Sequence, residues 1–159
     1  MAHKTIGNEP VSLLECVNPI KDKWKARWNV VQIEENTYEW VEEDFDHKPT
    51  EDEIITAVND WVNNYVKEKI VSGFSWNGMQ VWLSLENQVN YKSIYDLAVQ
   101  GNENVLPVTF KFGTDDSPIL YTFSSMEELT DFYTKAMRHI QDALNEGWAS
   151  KQNYFVKQC

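Results

Sequence analysis

The dipeptide Asn77-Gly78, which separates two short apolar runs, constrains the fold more than any other feature of this chain. A two-residue type I′ turn needs positive φ at both central positions, and Asn and Gly accept that conformation at low steric cost. The dipeptide therefore predicts a β-hairpin in which Trp76 lies opposite Met79 on the core side. Trp82 falls on the other side of the hairpin, so we expect another part of the chain or a partner to cover it.

Length and composition indicate an ordinary globular chain. It has 159 residues, of which 42% are hydrophobic and 13% aromatic, and this composition excludes a disordered protein. A chain of this size buries enough surface to form one core without a metal or a disulfide. No apolar run is long enough to span a membrane, and the first residues lack the apolar segment of a secretory signal. We therefore expect a protein that is made and kept in a cytoplasm and has no membrane partner.

The charge is strongly acidic, with a formal net value of −11. Binding to a nucleic-acid backbone needs clustered Lys and Arg, so the sequence predicts no nucleic-acid partner. Ten acidic residues against the single Lys48 lie between Glu34 and Glu53. This density is typical of a solvated face, and the alternative that remains open is an acidic mimic of nucleic acid.

The first half of the chain predicts an arm and then a strand pair. Residues 1–20 show no clear period and contain two prolines, which indicates an extended N-terminal arm. Residues 21–159 are predicted to form a single domain. Its first strand, Lys21–Val31, alternates apolar and basic residues, and a second β-rich run follows over Thr37–Phe45. Antiparallel pairing would place the basic side of the first strand near the acidic residues of the second.

Helices and further strands complete the predicted domain. Thr50 and Glu53 form a capping box that begins a helix ending near Val71. A second helix begins at Ser84 or Glu86 and stops at Gly101, and strands follow over 108–112 and 119–123. A capping box at 125–128 begins a long closing helix, for which two alternatives are open: an end at Gly147 or continuation past it. Since the strands come in adjacent antiparallel pairs, the fold class is α+β, with antiparallel hairpins packed with three helices.

The sequence contains no recognisable set of catalytic residues. The three histidines are scattered, and the chain has no zinc-protease, phosphate-loop or nucleophile-elbow motif. The polar run 44–47 places neighbouring ligands on opposite faces of a strand, which disfavours a metal site. Cys16 and Cys159 match no redox or metal spacing and are expected to be free thiols. The sequence predicts no enzyme, no catalytic or metal-binding residue and no cofactor.

The aromatic content is higher than one core of this size needs, with seven Trp and seven Tyr. Exposed Trp and Tyr rings indicate a protein interface or a carbohydrate platform, because such amphipathic rings dominate binding hot spots. Because these aromatics are spread over several elements, they favour a protein interface over a carbohydrate platform. An equally open alternative is that a second sheet face or the N-terminal arm covers the rings within the chain. The candidate interface or binding residues are Trp24, Trp40, Trp82, Tyr91, Tyr95 and Trp148.

The segment 70–151 also resembles a known family. A helix leads into a hairpin with the core Phe74-Ser75-Trp76-Asn77-Gly78, a helix follows over Asn87–Gln100, then strands, and then a long helix from Glu127 to Leu144. This layout is similar to small domains of unknown function in tailed bacteriophages and prophages, often attached to tail or tail-fibre assembly proteins. The resemblance implies a phage particle or its assembly as the setting, and it implies no catalytic residue.

Three hypotheses of function follow. The first is a non-enzymatic bacteriophage structural or assembly protein, associated with the tail or connector, made in the host cytoplasm and present in the virion. Its expected partners are other virion or assembly proteins or further copies of the chain. The second is a module that binds carbohydrate or another host-surface ligand through Trp82, Tyr91 and Tyr95. The third is the acidic inhibitor that mimics nucleic acid.

Overall fold

The computed structural model describes the backbone of residues 1–101 and 103–158, and the side chains of 1–101 and 104–152. The chain is α+β, as predicted, with three helices and three antiparallel sheets among these residues. In chain order the elements are β1 (His3–Gly7), β2 (Leu14–Asn18), β3 (Lys23–Glu34), β4 (Thr37–Phe45), α1 (Glu51–Ser72), β5 (Phe74–Trp76), β6 (Met79–Val81), α2 (Leu85–Val99), a 3₁₀ turn (Glu103–Val105), β7 (Val108–Gly113), β8 (Pro118–Phe123) and α3 (Met126–Gln158).

The chain divides into two compact units. The first unit comprises Met1–Asn63 and Ser150–Cys159, and the second comprises Asn64–Ala149. The sequence predicts an arm over residues 1–20 and a single domain over residues 21–159, and this domain assignment stays a prediction. Periodicity in the sequence identifies helices and strands but does not show which of them pack together, so it could not predict this division.

The first unit contains a four-stranded antiparallel sheet in the order β1-β4-β3-β2. This is a Greek-key order, because β2, β3 and β4 follow one another while β1 returns to lie beside β4. The predicted pairing of β3 with β4 is confirmed, with Lys25 opposite Asp44 and Arg27 opposite Glu42. Residues 1–20 are extended, as predicted, but they supply both edge strands of the sheet rather than a separate arm.

Alternation along the strands gives this sheet one apolar and one charged face. Trp28, Ala26 and Val41 lie on the apolar face and are buried. Arg27, Trp40 and Glu42 lie on the opposite face and are also buried. A sheet face that carries a buried ion pair needs hydrogen-bonding partners from the chain for each charge.

The second unit is built around the predicted hairpin, which is confirmed. Trp76 lies opposite Met79, and Asn77 and Gly78 have φ of 50° and 77°. The core is largely aromatic and surrounds Phe132 of α3, whose ring centroid lies 5.6 Å from that of Trp76. The buried members of this core are Phe74, Trp76, Val81, Leu83, Tyr91, Phe110, Phe112, Phe123, Leu129, Phe132 and Ala136.

The predicted helix starts are confirmed by their hydrogen bonds. In α1, Glu53 N donates to Thr50 Oγ1 at 3.3 Å while Thr50 N donates to Glu53 Oε2 at 2.8 Å, which is a capping box. Ser84 caps α2 and Ser125 caps α3 with single hydrogen bonds, in which Ser84 Oγ accepts from Asn87 N and Ser125 Oγ accepts from Glu128 N, both at 3.3 Å. Gly147 lies inside α3 and does not end it.

Candidate protein-interaction surfaces

Three large apolar side chains are exposed around the start of α2. Trp82 is 50% exposed, Leu85 73% and Val89 57%. Trp82 points outward because it lies between Val81 and Leu83, which are both buried, and an extended chain turns successive side chains to opposite sides. Leu85 and Val89 are one helical turn apart and so share a face of α2. We call Trp82, Leu85 and Val89 the α2 patch.

Hydrogen bonds hold the backbone beneath the α2 patch. Asn87 Nδ2 donates to the carbonyl oxygen of Trp82 at 2.7 Å, and Gln88 Nε2 donates to that of Leu83 at 2.8 Å. Asn87 N also donates to Ser84 Oγ at 3.3 Å. The patch is therefore presented by an ordered segment, so a partner that binds it would pay little conformational entropy for ordering the backbone.

Of the α2 patch, only Trp82 was predicted from the sequence as a binding residue, and Leu85 and Val89 were not. The available signal was that α2 carries apolar residues on two sides, since Tyr91 of the same helix is buried in the core while Leu85 and Val89 are exposed. Such a helix has an apolar face that its own unit does not cover.

The other predicted binding residues occupy different environments. Trp148 is 55% exposed, so its ring is accessible. Trp24 is half-buried, with its Nε1 donating to Asp22 Oδ1 at 2.7 Å. Tyr95 is half-buried and stacks on Tyr133, with ring centroids 4.2 Å apart.

The expectation of an accessible ring is wrong for Trp40 and Tyr91, which are both buried. Trp40 lies on the charged sheet face, where its Nε1 donates to Glu42 Oε2 at 3.0 Å. Tyr91 packs against Phe110 in the core of the second unit, with ring centroids 4.8 Å apart. Residue type alone suggested exposure, whereas each ring is covered by side chains or segments distant in the sequence.

A charged cluster on the sheet of the first unit is centred on Glu42. Its carboxylate accepts hydrogen bonds from Lys25 Nζ at 2.5 Å, Trp40 Nε1 at 3.0 Å and Arg27 Nε at 3.2 Å. Burial raises the pKa of Glu42, but these three hydrogen bonds outweigh burial and lower the pKa to about 2. Glu42 therefore stays ionised at neutral pH.

Arg27 is held from two further sides. Its Nη1 donates to Glu15 Oε2 at 2.7 Å and to the carbonyl oxygen of Ser12 at 3.0 Å. With Glu42 on its Nε, the guanidinium is thus surrounded by acceptors from β4, β2 and the connection before β2. Because these charges satisfy one another, the cluster is a structural network rather than a set of free catalytic groups.

Much of the acidic stretch between Glu34 and Glu53 is paired within the chain. Besides Glu42, four of its carboxylates contact side chains of Lys or His. These pairs are Glu39 with Lys4 at 3.0 Å, Asp44 with Lys25 at 3.4 Å, Glu53 with His47 at 2.8 Å, and Asp46 with Lys23. The stretch is therefore less available to a basic partner than its composition suggests.

Neither a metal site nor a membrane span is found in the part of the chain that the structure describes. No group of three or more His, Cys, Asp or Glu side chains there is arranged to hold a metal ion. None of its helices is both long and apolar enough to cross a bilayer. Cys16 is a free thiol, and Cys159 lies outside the described residues.

Comparisons with known proteins found no family model, no curated protein and no solved structure that matches this chain.

Proposed function

We propose that this chain is a non-enzymatic structural or assembly protein that acts through protein–protein contacts. The observation that carries the proposal is the α2 patch, where Trp82, Leu85 and Val89 are at least half exposed. Interface hot spots are typically large apolar or aromatic side chains held on an ordered scaffold. A partner that covers the patch would bury its apolar area and so gain binding free energy.

The setting that we propose is the tail or connector of a tailed bacteriophage, with other virion or assembly proteins as partners. The similarity of residues 70–151 to small phage domains supports this setting. The order of helix, hairpin, helix, strand pair and long helix on which that similarity rests is also the order of α1, β5–β6, α2, β7–β8 and α3. In this proposal the chain is made in the host cytoplasm and incorporated into the particle or used during its assembly.

Two other hypotheses receive less support from the geometry. A carbohydrate platform of Trp82, Tyr91 and Tyr95 would need three accessible rings, and that of Tyr91 is buried. A nucleic-acid mimic would need free carboxylates, whereas Glu39, Glu42 and their neighbours are paired with cations of the same chain. We therefore retain the protein-interaction function alone.

The proposal is tested by placing a charge in the α2 patch. The chain is co-expressed with the tail and connector proteins of its own phage, and complexes are purified and identified by mass spectrometry. We expect the wild-type chain to bind at least one of these proteins, and Leu85→Asp to reduce its recovery at least tenfold, because a carboxylate would have to be desolvated at the interface.

Leu120→Asp is the matched control, because Leu120 is also a leucine that is 73% exposed, but it lies on β8. This variant should bind the partner as the wild type does. Circular dichroism and the thermal midpoint of each variant establish that it is folded. Equal binding by Leu85→Asp and wild type, or binding by neither to any tail or connector protein, would reject the proposal.

A further inference from the structure

The edge strand β1 is attached to the first-unit sheet mainly through polar contacts. Of its five residues, His3, Lys4 and Ile6 are exposed. Lys4 Nζ lies 3.0 Å from Glu39 Oε1, and His3 Nε2 lies 3.4 Å from Glu42 Oε1. Because little apolar area holds β1 in place, it is better suited to detach than any strand with a buried side chain.

The connection from β1 to β2 is short, with six residues that bend at Asn8, Glu9 and Leu13. β1 and β2 lie at opposite edges of the sheet, so residues 8–13 must pass β4 and β3. Gly7 is level with Tyr38 and Leu14 is level with Glu43, so the ends are separated by three strand spacings and five residues along β4. Standard spacings give about 22 Å for this diagonal. Seven residue steps reach at most about 23–25 Å.

The edge of β4 is selective for the strand that it accepts. Gly7 lies beside the ring of Trp40, and a Cβ at this position would be 2.5 Å from Trp40 Cη2. That separation is well below van der Waals contact, so any residue other than glycine would displace the ring or the strand. The carboxylates of Glu39 and Glu42, on either side of Trp40 in β4, favour basic or hydrogen-bonding side chains on the strand that pairs with this edge, and Lys4 and His3 supply them. Residues 3–7 meet these requirements together.

We propose that β1 exchanges between two copies of this chain, so that residues 3–7 of one copy pair with β4 of the other. Every contact of β1 with Glu39, Trp40 and Glu42 is preserved in the exchanged dimer, and the short connection 8–13 no longer has to return across its own sheet. Exchange of an identical element costs little because the same contacts form twice, and short hinges favour it. This self-association is independent of the α2 patch.

The exchange is tested with two different single-cysteine variants. Both are made in a chain that also carries Cys16→Ser and Cys159→Ser. One carries Ile6→Cys and the other Glu39→Cys, since Ile6 and Glu39 are directly opposite each other in the β1–β4 pair. The two variants are mixed at high concentration and oxidised, so that a heterodimeric disulfide forms only between molecules. We expect it to form at least tenfold faster than with Ile20→Cys replacing Ile6→Cys.

Ile20 is a suitable control because it is 96% exposed and is not opposite Glu39. Adding Gly7→Ala to the Ile6→Cys chain should abolish the tenfold advantage, because the new methyl group meets Trp40. Sedimentation of the unmodified chain should show a dimer whose fraction rises with concentration. Equal rates for Ile6→Cys and Ile20→Cys would overturn the proposal, as would a monomer at all concentrations.

Discussion

The two units of this chain are stabilised by different means. The sheet of the first unit buries Arg27 and Glu42, each satisfied by several hydrogen-bonding partners. The core of the second unit consists of apolar and aromatic side chains packed around Phe132. A charged network is sensitive to the loss of one partner and to pH, whereas an aromatic core is sensitive to the loss of volume. The comparison therefore predicts where each unit is vulnerable.

The largest effect is expected from Phe132→Ala. The ring of Phe132 is fully buried. Its centroid lies 5.1 Å from the ring centroid of Tyr91 and 5.3 Å from those of Phe112 and Phe123. Its removal should lower the free energy of unfolding by about 3–5 kcal/mol, because the surrounding rings cannot fill the cavity. Urea unfolding measures the loss, and Phe132→Leu, which retains more volume, should lose clearly less. A loss below about 1 kcal/mol would show that the core collapses around the site.

Glu42→Ala should have the next largest effect. The substitution removes the hydrogen bonds that Arg27 Nε and Trp40 Nε1 donate to the Glu42 carboxylate, and both donors are buried. The free energy of unfolding should therefore fall by about 3 kcal/mol. Hydrogen exchange should show the loss in the amides of β3 and β4.

Asp44→Ala is the control for Glu42→Ala, because Asp44 contacts Lys25 but its side chain is 65% exposed. It should cost no more than about 0.5 kcal/mol. If the two substitutions destabilise the protein equally, the buried network has no special role in the first unit.

A smaller effect is expected from pH. The folded-state pKa of Glu42 is about 2, below its ordinary value of 4.5, so its ionisation stabilises the fold above pH 4.5 and this contribution is lost as pH falls toward 2. Between pH 7 and pH 3 the loss should be about 2 kcal/mol. Urea unfolding at both pH values should show this additional loss in the wild type relative to Glu42→Gln, which has no carboxyl group to protonate. An identical pH dependence in both proteins would contradict the assigned pKa.

Much of the fold was predictable from local signals. The turn at Asn77-Gly78 depends on the φ preferences of two residues, and the capping box at Thr50 and the N-cap at Ser125 depend on contacts three residues apart. The cross-strand charges of β3 and β4 followed from alternation and a short connection. These signals lie within one element or between neighbours, so they could be recognised without the tertiary structure.

The candidate site was predictable only in part. Trp82 was expected to need cover because hairpin alternation turns it away from the core, and it is exposed. Leu85 was missed because α2 has apolar residues on two sides, and its sequence pattern does not indicate which side packs into the core. The burial of Trp40 and Tyr91 was also missed, because it depends on contacts distant in the sequence. Gly7 packs against the ring of Trp40, and Phe110 packs against the ring of Tyr91.

From Lys21 onward the sequence by itself determined the main helices and strands of this protein, their order and the helix starts, because backbone preference, capping and periodicity act over a few residues. Only the tertiary structure decided that residues 1–20 form both edges of a sheet, that Arg27 and Glu42 are buried, and that the α2 patch is exposed. Strand partners and burial depend on residues far apart in the chain, and the free energy that selects them belongs to the packed arrangement rather than to any single segment.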